Sequence, residues 1–292
     1  MEKIIKKLLI IGCGKLGQKI GNSLAELPIE VVGIKRKLPK TLPKFKILAL
    51  DIFSDKFLTN VNLISPDFVI YSVSSDSQTE ESYQKNYVEG LRISIKALEQ
   101  LNDFQHLFFI SSTRVYGQVT EKFLSESINP QPSDYGGRAL LEAEKCLKKV
   151  LFKSTILRLS GIYGDDRRHM LGIASDMTRW PPEDRWTNRI HEEDAVSFIG
   201  FLLTQVLNKK EVEDLYLVTD SQPVSLYEVL NWIRCELSLS LGKHPIPNKI
   251  NGKKLRSEIL PRLSFSFKHP NYKTGYAQMI TKLKKTIDQN ID

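Results

Sequence analysis

Gly12, Gly14 and Gly17 stand in the spacing G-x-G-x-x-G. They follow the apolar run Lys7-Leu8-Leu9-Ile10-Ile11 and precede Leu16, Ile20, Leu24 and Leu27, which fall on one helical face. A strand, a glycine turn and a helix start in that order bring unpaired N–H groups and the positive end of a helix dipole to one point. That point suits a phosphate. Gly12 permits the tight turn, Gly14 lets backbone approach a pyrophosphate, and Gly17 lets helix and strand pack closely, with Lys15 and Leu16 in the same turn. The alternative is a glycine-rich turn that holds no ligand. About twenty residues further on, a site for NAD carries an acid for the ribose 2′-hydroxyl. Here the residues are Lys35, Arg36 and Lys37. A guanidinium forks onto a 2′-phosphate and ammonium groups add charge, so NADP(H) is expected in preference to NAD(H), with Arg36 the main reader. An ordinary basic loop is the competing reading.

Other residues offer less specific chemistry. Tyr163 and Gly164 close a strand at its C-terminal end, the side where open α/β sheets place ligands, and Arg167 and Arg168 follow, able to pair with an anionic substrate group. Cys13, Cys146 and Cys235 are far apart, odd in number and in no metal-ligand spacing, so neither a disulfide framework nor a metal site is expected. A reducing cytoplasm follows as the expected location. The apolar run Leu8 to Ile11 is too short for a secretory signal.

The elements that must position these residues alternate. Strands are read at 7–11, 29–34, 45–50, 67–72, 107–111 and 153–159, and helices after the glycines and over 82–101, the latter with Tyr83, Tyr87, Leu91, Ile95 and Leu98 in one stripe. This rhythm predicts an α/β fold, a Rossmann doubly wound parallel sheet. After Gly164 it loosens. A Trp180-Pro181-Pro182 break precedes Trp186, helices are read at 192–207 and 225–239, a strand at 215–218, and a loop at His244-Pro245-Ile246-Pro247. The division read from this is a dinucleotide domain over 1–164 and a smaller C-terminal α/β substrate lobe over 165–292, discontinuous, with 214–218 returning to the main sheet.

Four blocks then carry a resemblance. They are Phe109-Ile110-Ser111-Ser112-Thr113-Arg114-Val115-Tyr116-Gly117, Tyr135-Gly136-Gly137-Arg138-Ala139-Leu140-Leu141-Glu142-Ala143-Glu144, Ile156 to Gly164, and Asn188-Arg189-Ile190-His191-Glu192-Glu193-Asp194. In order and spacing they resemble the extended and atypical short-chain dehydrogenase/reductases, the NAD-dependent epimerase/dehydratase family. The resemblance implies hydride transfer at a nicotinamide, with Ser112 bonding the substrate oxygen and Tyr135 moving its proton. A lysine four residues after the tyrosine holds the nicotinamide ribose and lowers the phenol pKa in that family; here it is Ala139. Arg138 is one residue early and is expected to bring positive charge in its place. The resemblance also assigns Asp51 to the adenine amino group, against a helix N-cap as the alternative, and sets Ser72 and Val73 beside the nicotinamide ribose. Asn86 is assigned as a support of the active site. His191 matches a family block and is a candidate substrate contact, against capping and packing. Two readings remain. One is an oxidoreductase, epimerase or dehydratase acting on a small polar or nucleotide-linked sugar, and the other a dinucleotide-binding sensor or structural protein without turnover because of Ala139. A homodimer through the 82–101 stripe is expected unless that stripe covers the sheet.

The chain has 292 residues, 41% of them hydrophobic and 26% charged, enough for a sizeable core and incompatible with a disordered chain. No apolar run reaches the roughly 20 residues of a membrane span. The net charge of +8 is spread over short clusters with no nucleic-acid motif, which favours a solvated basic surface over a polyanion partner.

Overall fold

The computed structural model describes residues 5–241 and 250–288; the loop at 244–247 lies outside them. Along the chain run β1 (Lys6–Ile11), α1 (Lys15–Leu24), β2 (Ile29–Lys35), β3 (Lys46–Ala49), α2 (Lys56–Ile64), β4 (Phe68–Tyr71) and α3 (Glu80–Tyr83). After a π-helical segment at Gln84–Glu89 come α4 (Gly90–Leu98), β5 (His106–Ser112), β6 (Phe123–Leu124), α5 (Tyr135–Leu147), β7 (Lys153–Leu159) and β8 (Gly161–Tyr163). The remainder is α6 (His169–Ser175), β9 (Asp184–Thr187), β10 (Arg189–His191), α7 (Glu192–Leu207), β11 (Leu215–Val218), β12 (Val224–Ser225) and α8 (Leu226–Glu236). Beyond these lie β13 (Ile250–Gly252), β14 (Lys254–Leu255) and α9 (Tyr272–Asp288).

Seven strands form a parallel sheet in the order β11-β7-β5-β4-β1-β2-β3. The chain reverses direction across the sheet between β3 and β4, so β1 lies between β2 and β4. This is the expected Rossmann-like α/β fold. The apolar character of β1 is continuous because helices cover both faces of the sheet and leave Leu8 to Ile11 fully buried. Two compact units emerge. One comprises 1–115, 130–158 and 196–216, the other 116–129, 159–195 and 217–292.

Two helices differ from the sequence reading. Helix α1 stops at Leu24, ahead of Pro28, so Leu27 lies in the following turn. The helix read over 82–101 starts at Glu80, capped by the Thr79 hydroxyl on the Ser82 N–H, and is interrupted by the π-helical segment. The cause is a side chain from the sheet. The Tyr71 hydroxyl donates to the Asn86 carbonyl at 2.6 Å, and the Gly90 N–H, which would take that carbonyl in an α-helix, bonds Lys85 instead. Tyr83, Leu91, Ile95 and Leu98 of the stripe are buried in the first unit's core, so the stripe covers the sheet and gives no argument for a second copy.

Inside the same unit Glu144 of α5 is buried with Arg158 of β7 and Ser111 of β5. The Arg158 Nη2 donates to Glu144 Oε2 at 2.6 Å, and the Ser111 hydroxyl donates to Oε1 at 2.6 Å. That triad pins α5, and hence Tyr135 at its first turn, to the sheet. Among the described residues no helix is long and apolar enough to cross a membrane.

Candidate cofactor and active site

A groove opens at the C-terminal ends of β1, β2 and β4, lined by Gly12, Gly14, Arg36, Asp51, Val73 and Asp76 among others. Gly12 has φ +81, and a Cβ there would lie 2.6 Å from the Val73 backbone, so only glycine fits the turn. At Gly14 a Cβ would approach only the Gly12 carbonyl, at 3.9 Å, leaving the space beside it open. Helix α1 begins at Lys15 and directs its first-turn N–H groups toward this opening. These features fit a dinucleotide pyrophosphate. Gly17 packs against Ile10 and Cys13, Leu16 is half-buried, and Lys15 is exposed. Ser72 donates its N–H to the Ile11 carbonyl at 2.8 Å, which leaves Val73, Ser74 and Asp76 as the groove wall from that loop. Asp51 accepts the Phe53 N–H at 3.0 Å while lining the groove. Asn86, from the π-helical segment, lines it too.

At the end of β2, Lys35 is half-buried and Lys37 exposed. Arg36 makes a two-pronged pair with Asp76: Nη1 donates to Oδ2 at 2.8 Å and Nη2 to Oδ1. Reading the sequence did not single out Asp76. It lies forty positions away, and only the fold brings its loop beside β2.

Tyr135 is the first residue of α5, whose N-cap is Asp134. The Asp134 carboxylate accepts the Gly137 N–H at 2.7 Å and the Arg114 Nε at 3.0 Å. Burial acts against that carboxylate, but the Gly137 N–H and Arg114 outweigh it and hold its pKa below the ordinary range. Arg114 lies over the Tyr135 ring, 5.3 Å from its centroid, and over Tyr83 at 4.9 Å, and its Nη1 donates to the Tyr83 hydroxyl at 2.6 Å. The Tyr135 hydroxyl donates to the Gln78 carbonyl at 2.5 Å. Ser112, at the end of β5, accepts the Arg114 N–H at 3.2 Å. Gly136 and Gly137 explain how Arg114 gets there: a Cβ at 136 would strike its guanidinium at 2.5 Å, and one at 137 its carbonyl at 2.6 Å.

Arg138 is turned elsewhere. It is exposed, and its Nη2 lies 3.8 Å from Glu80, so the guanidinium against Tyr135 is that of Arg114. Ala139 is fully buried in the core of the first unit. Arg114 stands two residues after Ser112 in the sequence, but its place against Tyr135 depends on the two glycines that clear its path.

In the second unit Tyr163 is buried against Tyr276 and His191, with ring centroids 4.5 and 5.1 Å away. His191 accepts the Glu193 N–H at the start of α7 at 3.3 Å, and Asp194 accepts the N–H groups of Lys268 and His269, so this block caps and packs. Burial, then His269, lowers the His191 pKa to about 4. Arg167 and Arg168 are exposed, the latter donating to the Asp165 carbonyl at 2.8 Å. Among the described residues, His191, Glu193 and His269 bring ligand-type atoms within 4.8 Å of one another. Glu193 is already paired with Lys268 at 2.7 Å.

With this geometry in place, comparison with known proteins defines the class. The sequence pattern of the NAD-dependent epimerase/dehydratase family matches residues 8–217, and the chain belongs to that family. A protein from Methylobacillus flagellatus assigned to the NAD-dependent epimerases/dehydratases is 34% identical, with a TM-score of 0.85 over 96% of this chain and 99% of its own. The UDP-glucose 4-epimerase of Thermotoga maritima, solved with UDP-glucose, is 16% identical with a TM-score of 0.78, covering 96% of this chain and 99% of that one. The dTDP-glucose 4,6-dehydratase of Bacillus anthracis, solved with NAD, is 12% identical with a TM-score of 0.77, covering 96% and 97%. These last two share the fold. Among curated proteins none matches the chain.

Proposed function

We propose that the protein is an NAD(P)-dependent epimerase, dehydratase or reductase acting on a small polar substrate of the nucleotide-linked sugar type, with NADP(H) preferred and NAD(H) accepted. The observation that carries the reading is Arg114 against Tyr135. The family's lysine supplies a cation to the tyrosine, Ala139 cannot, and Arg114 brings one to the ring. The nicotinamide, when bound, supplies hydride exchange with a substrate carbon. Tyr135 moves the proton of the substrate oxygen, Ser112 donates a hydrogen bond to that oxygen, and Arg114 holds a positive charge against the Tyr135 ring. Asp134 fixes the guanidinium by accepting Nε. The basic residues at 35–37 support the 2′-phosphate preference.

The test is a set of Arg114 variants assayed with NADPH and NAD(P)⁺ against UDP- and dTDP-sugars. Arg114→Leu is expected to lower kcat about 10²-fold, with Arg114→Lys recovering part of the loss. A folded Arg114→Leu variant with wild-type kcat overturns the assignment. The fully buried Ala139 favours the second reading, a dinucleotide-binding protein without turnover. A protein whose melting temperature rises with NADPH, while no substrate is turned over, has that role.

A further inference from the structure

Resting on the reading of the Gly12–Gly17 groove as a dinucleotide site, we propose that Asp76 is a specificity-determining residue: it holds the Arg36 guanidinium and sets how far the groove favours a 2′-phosphate over a 2′-hydroxyl. Both terminal nitrogens of Arg36 are engaged by the two oxygens of one carboxylate. A guanidinium meets a phosphate through the same planar fork, so a 2′-phosphate competes with Asp76 for the same donors. It also meets a like charge, because the hydrogen bond from Arg36 holds the Asp76 pKa below its ordinary value and keeps it ionised. A 2′-hydroxyl meets neither obstacle. It donates to a carboxylate, whose oxygens keep lone pairs beyond those used by Arg36.

The arrangement exchanges two strands' usual duties. The acid commonly found after the second strand is supplied here from the loop after β4, while β2 ends in the base that acid would replace. The two side chains are about half exposed, at 58% and 46%, so the pair is screened by solvent and can open to a competing anion. Lys35 and Lys37 add charge without being tied to Asp76, so NADP(H) is bound but less selectively than three basic residues alone would give.

Isothermal titration with NADP⁺ and NAD⁺ tests this on the full-length protein. In Asp76→Asn the ratio Kd(NADP⁺)/Kd(NAD⁺) is expected to fall about fivefold, the scale of an exposed ion pair. In Arg36→Ala the ratio rises, and adding Asp76→Asn to Arg36→Ala lowers it by less than Asp76→Asn lowers it in wild type, because only the direct effect of the Asp76 charge remains. An unchanged or increased ratio in Asp76→Asn overturns the proposal. So does an undiminished effect of Asp76→Asn in the Arg36→Ala background, since Asp76 would then act without the pair. Wild-type protein that binds neither dinucleotide overturns the reading of the groove itself.

Discussion

His106, at the start of β5, lies over Phe108 with ring centroids 4.5 Å apart and its Nε2 2.9 Å from the Thr155 hydroxyl. Burial, then Lys153, lowers its pKa from 6.5 to about 4. Between those values the unfolded chain binds a proton that the folded one refuses, so stability rises with pH through this window and is lost as pH falls from 6.5 toward 4. The contribution is about 3 kcal/mol at its largest. Denaturant unfolding at pH 4.5 and pH 7 is expected to show a smaller stability difference for His106→Gln than for wild type, and equal differences would refute this. Ala139 sets a second residue-scale expectation. Restoring the family's lysine at a fully buried position puts an ammonium into the core, so Ala139→Lys is expected to lower the melting temperature and cost about 3 kcal/mol or more. A melting temperature at or above that of wild type counts against it. Arg114 shows what one-dimensional reading misses. The sequence pointed to Arg138, beside Ala139, for positive charge near Tyr135, whereas the guanidinium there is that of Arg114, for which Gly136 and Gly137 make room.

The elements were legible where burial is symmetric. β1, β2, β4 and β5 are short apolar runs because both faces are covered, and their order follows from the alternation with helices. The π-helical segment was not legible, because its cause is the Tyr71 phenol arriving from β4. The same holds for the short strands β8–β10 and β12–β14, of two to four residues, which carry too little pattern to be read alone. Helix α5 was marked by its tyrosine block, and its anchorage through Glu144 gives a prediction at this scale. Glu144→Ala leaves the Arg158 guanidinium buried without its carboxylate and is expected to cost about 3–5 kcal/mol, while adding Arg158→Leu recovers most of it. Urea unfolding of both variants decides. A double variant no more stable than Glu144→Ala shows that the guanidinium was not the source of the loss.

At the scale of the whole chain, neither unit is a single stretch of sequence. The first unit needs residues 196–216, from α7 and the start of β11, in addition to its N-terminal part. Phe198 and Tyr216 are buried there, and a Cβ at Gly200 of α7 would lie 3.6 Å from Leu24 of α1. A fragment of residues 1–164 is therefore expected to bind a hydrophobic dye and to lack the near-ultraviolet circular dichroism of packed aromatics. A cooperatively melting fragment that responds to dinucleotide contradicts this. The interleaving also bears on how the protein is made. As the chain emerges from the ribosome, the dinucleotide unit cannot close until residue 216 has left the exit tunnel. By then the stretches 116–129 and 159–195 are already outside, awaiting partners from beyond residue 217. Slow codons or a chaperone acting within residues 165–216 would thus influence the yield of the nucleotide-binding half as much as that of the other.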